Sequence, residues 1–209
     1  KVILRNVCDL LGWNENADGT FAPGGSMTNY MAMVMARDAV DSAAPYQGVQ
    51  QKMTVYTSTE SHYSIPKNAA FCGIGRDQVR YVPTNDFGQM NAEALKAMIT
   101  EDVAKGFTPI MVNATAGTTV LGAFDPIEPL RAICDAHQMW LHVDGAYCGS
   151  VLFSEAYKHL IKGASTVDSF SFNAHKIQSN SSVVLMLTST TVRKNRKRLV
   201  FRRVKYIFA

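Results

Sequence analysis

The run Pro109-Ile110-Met111-Val112-Asn113-Ala114 reads as a strand apolar on both faces. Successive strand side chains point to opposite sides. A strand without clean alternation therefore needs cover on both, as in a sheet sandwiched between helices. Further strands are expected at Met53–Thr57, Val79–Pro83, Met139–Val143, Val167–Phe172 and Ser182–Leu187. Helical spacing separates them: Val2–Leu11 stopped by Gly12, Tyr30–Arg37, Ser64–Phe71 closed by Gly73 and Gly75, and Asn91–Ala104. In the last of these Asn91 is the cap, and Ala94, Leu95, Met98, Ile99 and Val103 share one face. A further helix starts at Asp125-Pro126 and runs to about His137, and a short one is expected over Ser154–Lys162. Trp13–Gly19 reads as a polar loop and Ala43–Lys52 as a linker. The alternation predicts a three-layer α/β domain with a mostly parallel mixed sheet.

Composition narrows the setting. The chain has 209 residues, 47% of them hydrophobic, enough for one sizeable core. No stretch approaches the ~20 apolar residues of a membrane span, and Lys1 leads into an amphipathic segment, not a signal peptide. With no initiator Met, the chain is expected to begin inside a longer protein. Cys8, Cys72, Cys134 and Cys148 are scattered without a CxxC pair. They read as thiols in a reducing, cytoplasmic compartment, with no zinc framework. Of 21 Lys and Arg, eight fall in 190–209, leaving 13 basic against 17 acidic side chains in 1–189. The body is mildly acidic and the basic balance comes from the tail.

Polar groups recur just past strand ends, where open α/β sheets hold ligands. Lys176 follows Val167–Phe172 after Asn173 and His175. Asp144 follows Met139–Val143. His62 follows Met53–Thr57 in Ser58-Thr59-Glu60-Ser61-His62-Tyr63-Ser64. Each has a bland reading: a snorkelling lysine, a loop histidine, a strand-end carboxylate. Pro23-Gly24-Gly25-Ser26-Met27-Thr28-Asn29 opens an apolar helix, and a glycine-rich helix start suits a phosphate. Alone it is an ordinary N-cap. Together, a carboxylate for a pyridine nitrogen, a lysine for an aldehyde and a helix start for a phosphate suit pyridoxal 5'-phosphate.

The chain resembles the large domain of group II pyridoxal-phosphate-dependent amino-acid decarboxylases, in the branch of glutamate and cysteine sulfinate decarboxylases. The matching pieces run in family order from about Asp18 to Leu187. They are Asp18-Gly19 to Asn29, Ser61-His62-Tyr63-Ser64-Ile65, Asn113 to Thr119, Gly122 to Ile127, Trp140 to Asp144, and Asn173-Ala174-His175-Lys176. The resemblance implies that Lys176 bonds the cofactor aldehyde, Asp144 pairs with the ring nitrogen, and His62 stacks on the ring and helps return a proton. It implies that Met27 by its backbone N–H, Thr28 by its hydroxyl and Asn173 hold the phosphate. Thr119 would lie near the phenolic oxygen, Ala146 would pack on the ring, and His175 would contact cofactor or substrate. The implied reaction is decarboxylation of an acidic L-amino acid by a homodimer.

Ala174 and Gly145 replace a common proline and alanine, and both exchanges read as mild. The division expected is a partial cofactor-binding domain over 1–189 and a basic tail over 190–209 that does not resemble the family. An N-terminal segment and a small C-terminal domain are expected to be missing, and the chain alone to be inactive. The aspartate and lysine also suit an aminotransferase or a cysteine desulfurase; His62 and Asn-Ala-His-Lys favour the decarboxylase. A non-catalytic piece with an anion-binding tail is the rival of another class. Nucleic-acid and membrane partners are not expected.

Overall fold

The computed structural model describes residues 2–173 and 184–188. Among them, seven strands form one sheet in the order β1-β7-β6-β5-β4-β2-β3. The strands are β1 (Asp18–Ala22), β2 (Met53–Ser58), β3 (Val79–Val82), β4 (Thr108–Thr115), β5 (Trp140–Gly145), β6 (Ser169–Asn173) and β7 (Val184–Thr188). β3, β2, β4, β5 and β6 are mutually parallel, and β7 runs antiparallel to both β6 and β1. This is the mixed, mostly parallel sheet that the sequence predicts.

Six α-helices cover it among the described residues: α1 (Val2–Leu10), α2 (Gly25–Val40), α3 (Ala44–Gln47), α4 (Ser64–Phe71), α5 (Ala92–Ala104) and α6 (Ile127–Ala136). Leu4 of α1, Leu95 and Ile99 of α5, and Leu130 of α6 pack with Val112, Leu141, Val143, Phe170 and Phe172 of the sheet. On the opposite face α2 (Met31–Ala36) and α4 (Ile65, Ala69) pack with Met53, Val55, Ile110, Met111 and Trp140. Two cores, one per face, make the third layer. No helix among the described residues is long and apolar enough to cross a membrane.

Several local expectations change. Asp18–Ala22, read as the end of a loop and the approach to a helix, is the edge strand β1. Its residues carry no apolar run, and it exists because β7 pairs with it from Asp18↔Thr188 to Ala22↔Val184. Ser154–Lys162 is a turn followed by a 3-10 segment, Lys158–Ile161. Only Ile161 of that segment is buried, while Tyr157 and Leu160 are exposed, too little apolar cover to hold a full helix.

In α5 the buried stripe is Leu95, Ile99 and Asp102, and Val103 is 49% exposed. Asp102 takes the inward position because Tyr56 Oη–H donates to it at 2.6 Å and Arg80 pairs with it at 3.0 Å. Asn91 caps α5 as expected, accepting from the Ala94 N–H at 3.0 Å. Asp125 does not cap α6. Its carboxylate is buried and accepts from the Met90 and Thr115 N–H groups at 2.7 Å each, pinning the 84–91 loop to the end of β4.

Gly145 is also less permissive than its sequence reading. A methyl there would lie 2.6 Å from the Ser171 carbonyl oxygen and 3.0 Å from Gly149 Cα. These are backbone atoms that cannot swing aside, so the exchange is not mild in this chain.

Candidate active site

The period of two along the central strands sorts their residues. In β5, Leu141 and Val143 face α5 and α6, so Trp140, His142 and Asp144 face α2. In β6, Phe170 and Phe172 take the first face, and Ser169, Ser171 and Asn173 the second. Register then lines up polar groups across the sheet beneath α2. Thr57 sits beside Asn113, Asn113 beside His142, and His142 beside Ser169. The next row outward joins Thr115, Asp144 and Ser171.

Helix α2 answers this layer with Asn29, which is 1% exposed. Asn29 Nδ2 donates to Asp144 Oδ2 at 2.7 Å and to Ser64 Oγ at 3.1 Å. The Ala146 N–H and the Ser171 hydroxyl donate to Asp144 Oδ1 at 3.0 and 3.3 Å. The carboxylate is thus held in one orientation by donors from α2, β6 and its own loop. His142 lies behind it, with Nε2 3.0 Å from Asn29 Oδ1 and Nδ1 2.8 Å from Ser169 Oγ. Complete burial lowers the His142 pKa to about 4, against the opposing pull of the Asp144 charge, so the ring is neutral near pH 7.

Asp144, His62, Thr119 and Ala146 line one cavity of about 550 Å³ together with Gly25, Ser26, Asn29, Ser61, Thr115 and Tyr147. His62 stands at its wall with Nδ1 2.8 Å from Ser64 Oγ and its ring 4.3 Å, centre to centre, from Tyr63. Four of the residues expected from sequence therefore meet at one cavity. Met27 and Thr28 lie in the first turn of α2 beside it. The Met27 N–H donates to the Gly24 carbonyl at 3.0 Å, and the Thr28 hydroxyl to the Gly25 carbonyl at 2.7 Å. Asn173 ends β6 next to that turn, 2% exposed. His175 and Lys176 lie outside the described residues, as do Ala174 and the whole 190–209 tail with its boundary.

The surroundings fit a planar ring bearing a phosphate. Asn173 Oδ1 is buried without a hydrogen-bond partner among the described residues, and this orphaned amide oxygen lies beside the α2 N-terminus, whose N–H groups suit an anion. Gly25 keeps that approach open, since a methyl there would stand 2.9 Å from Ala146 Cβ and 3.6 Å from Asn173 Nδ2. Sequence reading missed Asn29, Ser64, His142 and Ser171 as working residues. The signal was present as alternation, His142/Asp144 and Ser169/Ser171/Asn173, inside runs read only as apolar.

Comparison with known proteins agrees with this geometry. The family described as "Pyridoxal-dependent decarboxylase conserved domain" matches residues 1–205. Human cysteine sulfinic acid decarboxylase is 44% identical over 177 residues, covering 84% of this chain and 36% of the relative. The acidic amino acid decarboxylase GADL1 of Xenopus tropicalis is 41% identical over 179 residues, covering 85% of this chain and 35% of the relative. The crystal structure of mouse CSAD superposes with a TM-score of 0.88 at 40% identity, covering 92% of this chain and 41% of that one. The chain thus spans little more than a third of the length of the curated relatives it matches. By sequence and by fold, this chain belongs to the pyridoxal-dependent decarboxylase family.

Proposed function

We propose that this chain carries the cofactor site of an enzyme that decarboxylates an acidic L-amino acid, such as cysteine sulfinate, glutamate or aspartate. The observation that carries the reading is the Asp144 carboxylate, fixed by three donors at the wall of the cavity that His62 also lines. Bound pyridoxal phosphate supplies an electron sink for the bonding pair left when carbon dioxide departs. Asp144 holds the proton on the ring nitrogen, which keeps that sink deep. His62 would stack on the ring and help return a proton to the substrate carbon. Met27, Thr28 and Asn173 would hold the phosphate, Thr119 would lie by the phenolic oxygen, and Ala146 would pack on the ring. Lys176 would hold the cofactor aldehyde, and His175 would contact cofactor or substrate.

The substrate class rests on the names of the two curated relatives, one a cysteine sulfinic acid decarboxylase and the other an acidic amino acid decarboxylase. A homodimer and a cytoplasmic location belong to the same reading. The four cysteines, all free, suit a reducing compartment. The test is to add pyridoxal phosphate to the full chain, reduce with borohydride and map the adduct. Modification at Lys176 supports the reading, and modification only at another lysine overturns it. Carbon dioxide release from cysteine sulfinate, glutamate and aspartate then ranks the substrates, and sedimentation of the full chain tests the dimer.

A further inference from the structure

The hydrogen bonds between Trp140 and His62 run in one direction, because both ends of the line admit one assignment each. The Asp144 carboxylate can only accept, so the Asn29 atom 2.7 Å from it is the amide nitrogen. The second hydrogen of that nitrogen goes to Ser64 Oγ at 3.1 Å. Asn29 Oδ1 is then an acceptor 3.0 Å from His142 Nε2, which must carry a proton. The neutral ring leaves His142 Nδ1 to accept from the Ser169 hydroxyl at 2.8 Å, and Ser169 in turn accepts from the Trp140 indole N–H at 2.8 Å. At the other end the Ser64 backbone N–H points at His62 Nδ1, 3.2 Å away. A ring nitrogen that accepts from an amide carries no proton, so the Ser64 hydroxyl donates to it as well, at 2.8 Å.

We infer that Asn29 is a positioning residue that couples Asp144 to His62: one hydrogen of its amide orients the carboxylate, and the other, through Ser64, orders the imidazole with its proton on Nε2. His142 and Ser169 fix the orientation of Asn29 itself. Asn29 is suited to this because it offers two donors and an acceptor from one short side chain. An aspartate there would set a second carboxylate against Asp144, and a leucine would leave the His142 N–H and the Asp144 oxygen without partners inside the protein. The inference rests on the proposed function only in giving Asp144 and His62 their roles. The direction of the line belongs to the chain itself.

The experiment uses the full chain without cofactor, labelled with ¹⁵N in its five histidines, and reads the tautomer of each ring from long-range proton–nitrogen correlations. His62 and His142 are assigned by single His→Gln variants. The expected wild-type result is the Nε2–H form at both. Asn29→Ala should shift the ring nitrogens of His62 and His142 together, the effect on His62 passing through the Ser64 hydroxyl. Ser64→Ala cuts one branch and should shift His62 while leaving His142 unchanged. Met33→Ala, a cavity elsewhere in buried α2, should shift neither. A proton on Nδ1 of His62 in the wild type overturns the inference. So does a His62 signal unmoved by Asn29→Ala or, should that variant fail to fold, unmoved by Ser64→Ala. Because no cofactor is present, failure to bind pyridoxal phosphate would sink the proposed function and leave this result standing.

Discussion

Asp144 and His142, two residues apart on one strand, grip opposite ends of the same Asn29 amide, at 2.7 Å from its nitrogen and 3.0 Å from its oxygen. The arrangement gives Asp144→Asn a consequence beyond loss of charge. The new amide can keep the Ala146 N–H bond through its oxygen, but its nitrogen then faces the Asn29 nitrogen, donor against donor. Relief by turning Asn29 over would break the bond to His142. We expect a stability loss of about 1–3 kcal/mol, the usual cost of an unsatisfied buried polar group. Cofactor-dependent turnover in the complete enzyme should fall on the order of 100-fold or more, as for loss of a preorganised electrostatic contact. Urea unfolding and carbon dioxide release check the two separately, and near-normal turnover would show Asp144 to be structural.

Gly145→Ala should destabilise the chain although the change adds one methyl to a buried strand end. The methyl would meet the Ser171 carbonyl at 2.6 Å and the Phe170 ring at 2.9 Å. Overpacking of this kind costs about 1–3 kcal/mol. Thermal unfolding of the variant measures it, and an unchanged midpoint would mean that β5 and β6 separate more easily than their register suggests.

The ion pair under α5 gives a contrasting case, far from the cavity. Asp102 is 5% exposed and accepts from Tyr56 and from Arg80. Arg80 keeps 21% of its side chain exposed, so the main loss in Asp102→Ala is the buried Tyr56 hydroxyl left without its acceptor, at about 1–3 kcal/mol. Pyridoxal phosphate affinity of whatever remains folded should not change. Loss of affinity in the folded fraction would count against the separation of the two sites.

What the sequence could show divides along a physical line. Ser64–Phe71 and the ends of β2, β4 and β5 were legible because apolar spacing and breakers act locally. Asp144 and His62 were legible as polar groups near the ends of apolar strands, and both line the cavity. β1 was not legible, since Asp18-Gly19-Thr20 becomes a strand only when β7 arrives to pair with it. Asp102 was not, because the inward position of this helix residue depends on Arg80 of strand β3. The polar layer of Asn113, His142 and Ser169 depends on interstrand register, which no single segment contains. Val103 shows the converse error, an apolar residue assigned inward that the helix turns to solvent.

Two buried groups set opposing pH dependences that substitution should separate. Burial lowers His142 from 6.5 to about 4, so between those values the unfolded chain takes a proton that the native ring refuses. The stability associated with His142 is full above about pH 6.5 and falls as pH drops toward 4. Burial raises Asp125 from 3.8 to about 6, against the two N–H bonds that favour its charge. In that window the native carboxyl keeps a proton that the unfolded one has lost, so this contribution falls as pH rises through 6. In the wild type the two trends oppose each other between pH 4 and 6. Urea unfolding across pH 4–7 should therefore show the two trends set against each other, and substitution separates them. In His142→Gln the Asp125 trend stands alone, and stability relative to wild type should rise as pH falls from 6.5 to 4. In Asp125→Asn the His142 trend stands alone, and relative stability should fall over the same range. Parallel pH profiles for the wild type and both variants would show that neither group titrates as its burial requires.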